Sequence, residues 1–472
     1  MGNAADILIV GLGKTGLSVA RFLARRGLVF AVADSRMEPP GLAELRAECP
    51  LAAVHLGPFE AELFRGFRTL VVSPGIAVAE PAIQAAAAAG AEIIGDIELF
   101  ARHVKAPVIA ITGSNGKSTV TTLVGELLAA AGRKVLVGGN LGTPALDLLA
   151  GPNDAEIYVL ELSSFQLETT SSLRPAASVV LNVSEDHMDR YPDLAAYAEA
   201  KGRVYQGAAV AVVNRDDDWS LRLAGCSNAA HTVSFGLDAP AAGQWGMVET
   251  DPLGADRESP LGEPEGGRPG MVGIRDGQTW LAHGDRPLVR ERELTLRGRH
   301  NMANALASLA LVEAVGVEPA AVLDALRRFA GLPHRSQFVG HFHGLDWVND
   351  SKGTNVGATA AALAGQTVPV VLIAGGLGKG QDFTVLRPLI AEKARGVVLI
   401  GQDAGLIAQA WAGAAPIVRA ADMGEAVSVA AELGRPGDVV LLSPACASFD
   451  MFKGYDHRGE VFAAEVRRRF GA

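Results

Sequence analysis

Cysteine is scarce. Cys49, Cys226 and Cys446 are the 3 cysteines in 472 residues, too few and too scattered for a disulfide framework or a zinc site. They read as reduced thiols of a cytoplasmic protein. Charge is also thin, at 20% of residues, and its balance is -10 from 42 Lys+Arg against 52 Asp+Glu. No field draws nucleic acid or an anionic membrane to such a surface, so an anionic ligand must be held by local pockets. Long apolar runs are missing, and no window approaches the ~20 residues of a membrane span. The N-terminus carries Asp6 before the short run Ile7 to Val10, with no basic segment and no cleavage site. What remains, 49% hydrophobic with 55 glycines, is globular and suits close packing of helices on sheets. The length implies about two or three domains. The expectation is a cytoplasmic monomer acting on small molecules.

One stretch organises the chain. Val108 to Ile111 is an apolar run, Thr112-Gly113-Ser114-Asn115-Gly116 is a glycine-punctuated turn, and Lys117-Ser118-Thr119 opens a helix whose apolar positions include Val120, Leu123, Val124, Leu127 and Leu128. Glycines let such a turn aim successive N–H groups at an anion, and the helix adds the positive end of its dipole. Lys117 then reaches outer phosphates and Ser118 can hold magnesium. The motif is shorter than the full Walker pattern, because Ile111 stands where its first glycine would fall.

A second glycine turn precedes it. Ile7 to Val10, Gly11-Leu12-Gly13-Lys14-Thr15-Gly16, and a strand from Val29 to Ala33 ending at Asp34 make a G-x-G-x-x-G unit with an acid at the end of the second strand. A phosphate-binding Rossmann-like unit follows, although the glycines alone do not say whether the ligand is a dinucleotide. Beyond the central turn, strands are expected at Ile157 to Leu160, ending in Glu161, and at Ala177 to Val183, ending in Ser184-Glu185-Asp186-His187. Residues 239–284, rich in Gly, Pro and acids, read as an irregular insertion without chemistry of its own, with order returning at Leu294. After Gly331-Leu332-Pro333-His334-Arg335, strands at Leu345 to Val348, Val368 to Ala374, Gly396 to Ile400 and Asp438 to Leu442 imply a second open sheet.

The expected fold is therefore α/β in three domains: Rossmann-like over 1–95, a central P-loop domain with a mostly parallel sheet over 96–333, and Rossmann-like again over 334–472. Ligands of such sheets gather at the carboxyl ends of the strands. Glu161 there can take a cation through oxygen ligands, and His187 can supply a further ligand or orient a reacting group. Lys201 shares a helical stripe with Leu194, Tyr197, Val204 and Tyr205. It either snorkels to water or, if buried, becomes a neutral amine able to take up carbon dioxide or pair with an acid. Asp350-Ser351-Lys352-Gly353-Thr354-Asn355, Gly375-Gly376-Leu377-Gly378-Lys379-Gly380 and Ser443 to Lys453 form polar edges after strands of the third sheet. A substrate lying between domains explains them together.

The blocks TGSNGKST, ELSSFQLE, NVSEDHMDRYP, GRHNMANALA, GLPHRSQ, DSKGTN and SPACASFDMFKGYDHRG, in that order, resemble the Mur ligases of peptidoglycan synthesis over nearly the whole chain apart from 239–284. The last block, with GLGKTGLS at the start, is similar to the branch that adds D-glutamate, where an Asn-Pro-Arg block would mark the diaminopimelate or lysine branches. The resemblance implies an ATP-driven amide ligation: the carboxylate of UDP-N-acetylmuramoyl-L-alanine is phosphorylated, and the amine of glutamate attacks the acyl phosphate. It implies that Gly113, Ser114, Asn115, Gly116, Lys117, Ser118 and Thr119 bind ATP with Asn301, Asn304, Arg335 and Asp350. Ser118, Glu161, His187 and a carbamylated Lys201 would hold Mg2+, and Lys117, His187, Lys201 and Lys352 would act at the reacting centre. Lys14, Thr15, Asp34, Ser35, Arg36, Gly75, Asn140 and Gln166 would line the UDP-sugar site, and Thr354, Lys379, Ser448, Phe449 and Tyr455 the glutamate site. Tyr455 and Leu377 depart from the expected pattern, which has phenylalanine and a polar residue there.

Other classes explain less. A nicotinamide oxidoreductase accounts for GLGKTG and Asp34 but not for TGSNGKST or the third domain. A folate-polyglutamate or cyanophycin-type ligase shares the central domain but not the first, and a non-catalytic binding module leaves Lys117, Glu161 and His187 without a task.

Overall fold

A computed structural model describes residues 5–151, 155–188, 190–249, 279–296 and 298–471. Three sheets follow one another along the chain. The first comprises β1 (Ile7–Val10), β2 (Phe30–Asp34), β3 (Ala53–Leu56), β4 (Thr69–Val72) and β5 (Glu92–Ile94), in the order 3-2-1-4-5. Every neighbouring pair is parallel. The apolar runs of the inner strands β1, β2 and β4 are buried, as a sheet covered by helices on both faces requires, while the edge strands β3 and β5 are partly exposed.

The second sheet has β6 (Val108–Thr112), β7 (Val135–Gly139), β8 (Ile157–Glu161), β9 (Ala177–Val180), β10 (Val210–Asn214), β11 (His231–Phe235), β12 (Trp245–Glu249), β13 (Thr279–His283) and β14 (Arg286–Arg290). Its order is 14-13-12-11-10-9-6-8-7. Strand β6 lies between β8 and β9, with Ile111 opposite Glu161 and Thr112 opposite Val180. The residues after β6, β8 and β9 therefore meet at one edge. The third sheet has β15 (Gln337–Phe342), β16 (Leu345–Asn349), β17 (Val370–Gly375), β18 (Ala394–Ile400), β19 (Ile417–Arg419) and β20 (Val439–Leu442), in the order 15-16-20-17-18-19.

The expectation of an irregular 239–284 is corrected in part. Trp245–Glu249 and Thr279–His283 pair antiparallel and extend the central sheet. Fully buried Trp245 anchors the ribbon, donating its indole N–H to Glu313 at 3.1 Å. Glycine and proline density around them hid these two short strands. Residues 250–278 lie outside the described residues. Order also returns before Leu294, and the strand expected over Ala177 to Val183 stops at Val180, because Leu181 to Ser184 turn to hold the β6 loop.

Packing ties the first two sheets together. One buried cluster runs from Ile9, Phe22 and Val32 through Phe100 to Ala110, Leu160 and Tyr197. The buried clusters of the third sheet stay within residues 345–466. Among the described residues no helix is long and apolar enough to cross a membrane.

Candidate active site

The loop after β6 is built by its neighbours. Gly113 and Gly116 have φ 154° and 83°, and a Cβ on Gly116 would stand 2.6 Å from the Asn304 amide oxygen, so the helix Lys117–Ala130 begins at a left-handed residue only glycine adopts freely. Asn182, which sequence reasoning passed over, brackets the loop. Its Oδ1 accepts from the Asn115 N–H at 2.8 Å, its Nδ2 donates to the Asn115 carbonyl at 3.2 Å, and its carbonyl accepts from the Ser114 N–H at 2.8 Å. The signal was an asparagine directly after an apolar strand.

Two amines converge on that loop. Lys117 Nζ donates to the carbonyls of Gly113 and Ser114 at 2.8 and 3.0 Å, and Lys201 Nζ donates to Gly113 at 2.9 Å. Lys201 is buried, 1% exposed, with its ammonium 4.3 Å from the Tyr197 ring centre, so the snorkelling alternative is set aside. Burial, then the Lys117 charge, pull its pKa well below the lysine range. Burial likewise lowers Lys117, against the pull of Glu161 and Asp186. His187 has φ 57° and packs edge-on against Phe165 at 4.9 Å. Its pKa is lowered by burial and by Lys379, Lys117 and Lys201, with Asp186 opposing.

Glu161 tests the fit for a cation. Its Oε1 accepts from Asn140 at 2.7 Å, while the buried Oε2 has no hydrogen-bond partner. A buried carboxylate oxygen without a hydrogen-bond partner beside a glycine loop is the kind of donor magnesium takes. Among the described residues no three His, Cys, Asp or Glu side chains converge to hold a metal; the set implied by resemblance draws on a hydroxyl and a lysine as well.

A cleft opens between the central and third sheets. It is lined by Asn115, Gly116, Thr119, Asn301, Asn304, Arg335 and Asp350 of the expected nucleotide set, together with His300 and Lys352. Arg335 reaches across to donate to Ser118 Oγ at 2.7 Å. Asp350 accepts from the Ser336 N–H at 3.1 Å and from Ser443 Oγ at 2.7 Å, and burial raises it to about 6. Lys352, over the Tyr455 ring at 3.9 Å, is lowered to about 8 by burial and then by Arg335 and Lys117. The cleft carries Arg335 and Lys352 against Asp217 and Asp350, with the buried Lys117 amine close enough to act on Lys352, and partly desolvated cations of this kind suit a polyphosphate.

On the third sheet, β20 lies between β16 and β17, which brings the loops after Asn349, Leu442 and Gly375 side by side. Arg458, also missed, ties two of them: buried at 1% exposure, it donates to Ser351 Oγ at 3.0 Å, Ser351 O at 2.8 Å and Cys446 O at 3.0 Å. The third loop holds on through Leu377, bridged to Ala447. Of the residues on this rim, Thr354 is half-buried, Ser448 is buried, Lys379 is exposed with φ 52°, and Phe449 and Tyr455 are exposed.

The first sheet carries a separate pocket edge. Lys14 and Thr15 open the helix Lys14–Arg25, Asp34 ends β2, and Ser35 and Arg36 follow it. Asp34 holds the glycine turn through the Leu12 N–H at 2.7 Å and grips Arg36 through Nε at 2.8 Å and Nη2 at 2.7 Å. Gly75 sits in the turn after β4. Gln166 is engaged locally: its Oε1 accepts from the Ser163 N–H at 3.1 Å in a capping box, and its Nε2 donates to Asp96 at 3.2 Å.

Comparison with known proteins decides the family. Residues 5–95 match the Mur ligase MurD-like N-terminal domain, 111–264 the Mur ligase middle domain, and 334–446 the Mur ligase glutamate ligase domain. A UDP-N-acetylmuramoylalanine--D-glutamate ligase of Nitrosococcus oceani is 51% identical over 469 residues, covering 98% of this chain and 97% of its own. The chain belongs to the Mur ligase family. A Pseudomonas aeruginosa protein of the same name is 52% identical to this Mur ligase, covering 97% of each. Among solved structures, the MurF ligase of Thermotoga maritima in complex with ADP superposes on this Mur ligase with a TM-score of 0.57 at 17% identity, covering 98% of this chain and 96% of its own. The UDP-N-acetylmuramate-alanine ligase of the same organism gives 0.54 at 19%, covering 98% and 99%. These two are likenesses of fold.

Proposed function

We propose that this Mur ligase joins D-glutamate to UDP-N-acetylmuramoyl-L-alanine at the expense of ATP, in peptidoglycan precursor synthesis. The observation that carries the reading is the near full-length identity of about half with proteins named for that reaction. The cleft beside the β6 loop, into which Arg335 and Lys352 reach near Lys117, supports it.

The domains divide at 95–96 and 333–334, so that the UDP-sugar lies on the edge of the first sheet, ATP in the cleft, and glutamate on the rim of the third. Lys117 swings from the Gly113 and Ser114 carbonyls to the outer phosphates and balances charge as the phosphoryl group moves to the alanine carboxylate. Arg335 and Asp350 hold the nucleotide from across the cleft, with Asn301 and Asn304 on the base side. Ser118, Glu161, His187 and a carbamate on Lys201 would hold magnesium, which spreads the charge of the approaching anions. The low pKa of Lys201 supports the carbamate, because only a neutral amine adds carbon dioxide. Lys379 receives glutamate beside Thr354, Ser448, Phe449 and Tyr455, with Lys352 nearby at the reacting centre.

Phosphate release with magnesium, ATP and UDP-N-acetylmuramoyl-L-alanine, compared for D-glutamate, L-glutamate and no amino acid, tests the reading. Release that depends on D-glutamate is expected. Release with L-glutamate alone overturns the substrate, and release independent of the UDP-sugar overturns the reaction.

A further inference from the structure

The loop that carries His187 is fastened at both ends to other domains. Asp186 Oδ2 accepts from Asn355 Nδ2 of the third domain at 3.3 Å. At the other end Arg190 crosses to the first domain, where Nη2 donates to the Ile76 carbonyl at 3.0 Å and Nη1 to the Pro74 carbonyl at 3.4 Å. These carbonyls flank Gly75 in the turn after β4. Arg190 is otherwise fixed on the central domain, with its guanidinium 4.3 Å from the Phe165 ring centre and 3.8 Å from Glu168 Oε2. Phe165 in turn packs against His187, and the Arg190 N–H donates to the His187 carbonyl at 2.9 Å. Tyr191, hydrogen-bonded to Glu168, also stacks on Phe165.

We propose that Arg190 is a positioning residue that couples the first domain's 73–76 turn to His187, so that a UDP-sugar seated on that turn fixes the His187 loop for reaction. The inference rests on the ligase reading above. A residue engaging two carbonyls of one domain while bracing the ring that packs on His187 transmits a shift of the turn directly, by contact. Lysine cannot replace it, because a single ammonium does not span two carbonyls and stack at once.

The test is backbone amide exchange over residues 11–16 and 184–191, with and without UDP-N-acetylmuramoyl-L-alanine, in the wild type and in Arg190→Met. In the wild type the ligand slows both segments. In Arg190→Met the 11–16 segment stays protected, the 184–191 segment does not, and kcat falls about tenfold or more while the KM for ATP is unchanged. Protection of 184–191 equal to wild type, or a wild-type kcat, overturns the proposal. If the ligand slows neither segment of the wild-type protein, the ligase reading fails and the coupling falls with it, a result distinct from protection that survives the substitution. Should the methionine variant not fold, Arg190→Lys keeps the charge and stem and is read the same way.

Discussion

Lys117 and Lys201 share one acceptor, the Gly113 carbonyl, yet burial prepares them for different work. Glu161 and Asp186 oppose the lowering at both amines, but at Lys201 the Lys117 charge adds to burial and the pKa falls well below the lysine range, so Lys117 is the amine expected to meet a moving phosphoryl group as a cation. Lys117→Ala is expected to lower acyl-phosphate formation by about a hundredfold or more, the scale of losing one fixed partner to developing charge; near-normal single-turnover phosphate release contradicts this. Lys201→Ala is expected to regain activity with short carboxylic acids, which can occupy the place of a carbamate. Absence of rescue in a folded variant rules the carbamate out. Asp96 is a third case, buried with one carboxylate oxygen unpartnered and raised from 3.8 to about 6 by desolvation. The native state then holds its proton where the unfolded state has released it, so stability declines as pH rises from about 4 to about 6, by up to about 3 kcal/mol. Asp96→Asn cannot titrate, and its unfolding midpoint relative to wild type is expected to be higher at about pH 7.5 than at about pH 4. An equal difference at both values refutes it.

The strand-to-helix turns are where single elements decide function. Gly16 lies in the first turn of the helix Lys14–Arg25, and a Cβ there would approach the Gly11 carbonyl oxygen to 1.9 Å. No rotamer relieves a clash with backbone, so Gly16→Ala must move the helix away from β1. Affinity for the UDP-sugar is expected to drop at least tenfold while ATP affinity, set on the β6 loop, is retained. Calorimetric titration of each ligand separates the two, and loss of both would mean that the domain had unfolded. The antiparallel ribbon of β12 to β14 teaches the converse. Its strands carry no chemistry-bearing signature, and they are ordered by Trp245, Met247, Leu281 and Val289, which are buried in the core of the central sheet, with the Trp245 indole held by Glu313.

Across the whole molecule the contrast is between apolar and polar junctions. The first and central domains share a continuous buried cluster, whereas the third meets the central one through hydrogen bonds such as Arg335 to Ser118, Asn355 to Asp186 and Ser336 with His300. Polar contacts exchange with water at small net cost, and an apolar core does not. The third domain is therefore the one expected to move. Nucleotide with UDP-sugar should make the particle more compact in X-ray scattering, and Arg335→Met should blunt the change. Profiles identical with and without both ligands contradict it.

Much of this was legible in the residues themselves. Apolar runs ended by glycine or acid marked the parallel strands, because a strand buried on both faces leaves no room for polar alternation. The β6 loop, Glu161, His187 and the three polar edges of the last sheet were readable because phosphate and cation chemistry admits few residue types. The sequence by itself determined the three α/β units, the glycine turns between strand and helix, and the family. Only the tertiary structure decided that Lys201 is buried, that Asn182, Arg458 and Arg190 hold the loops, and that the first two domains share one core. Those facts depend on residues far apart in the chain meeting at a sheet edge, where burial sets a lysine's charge and one arginine bridges several carbonyls, and local pattern contains no record of such meetings.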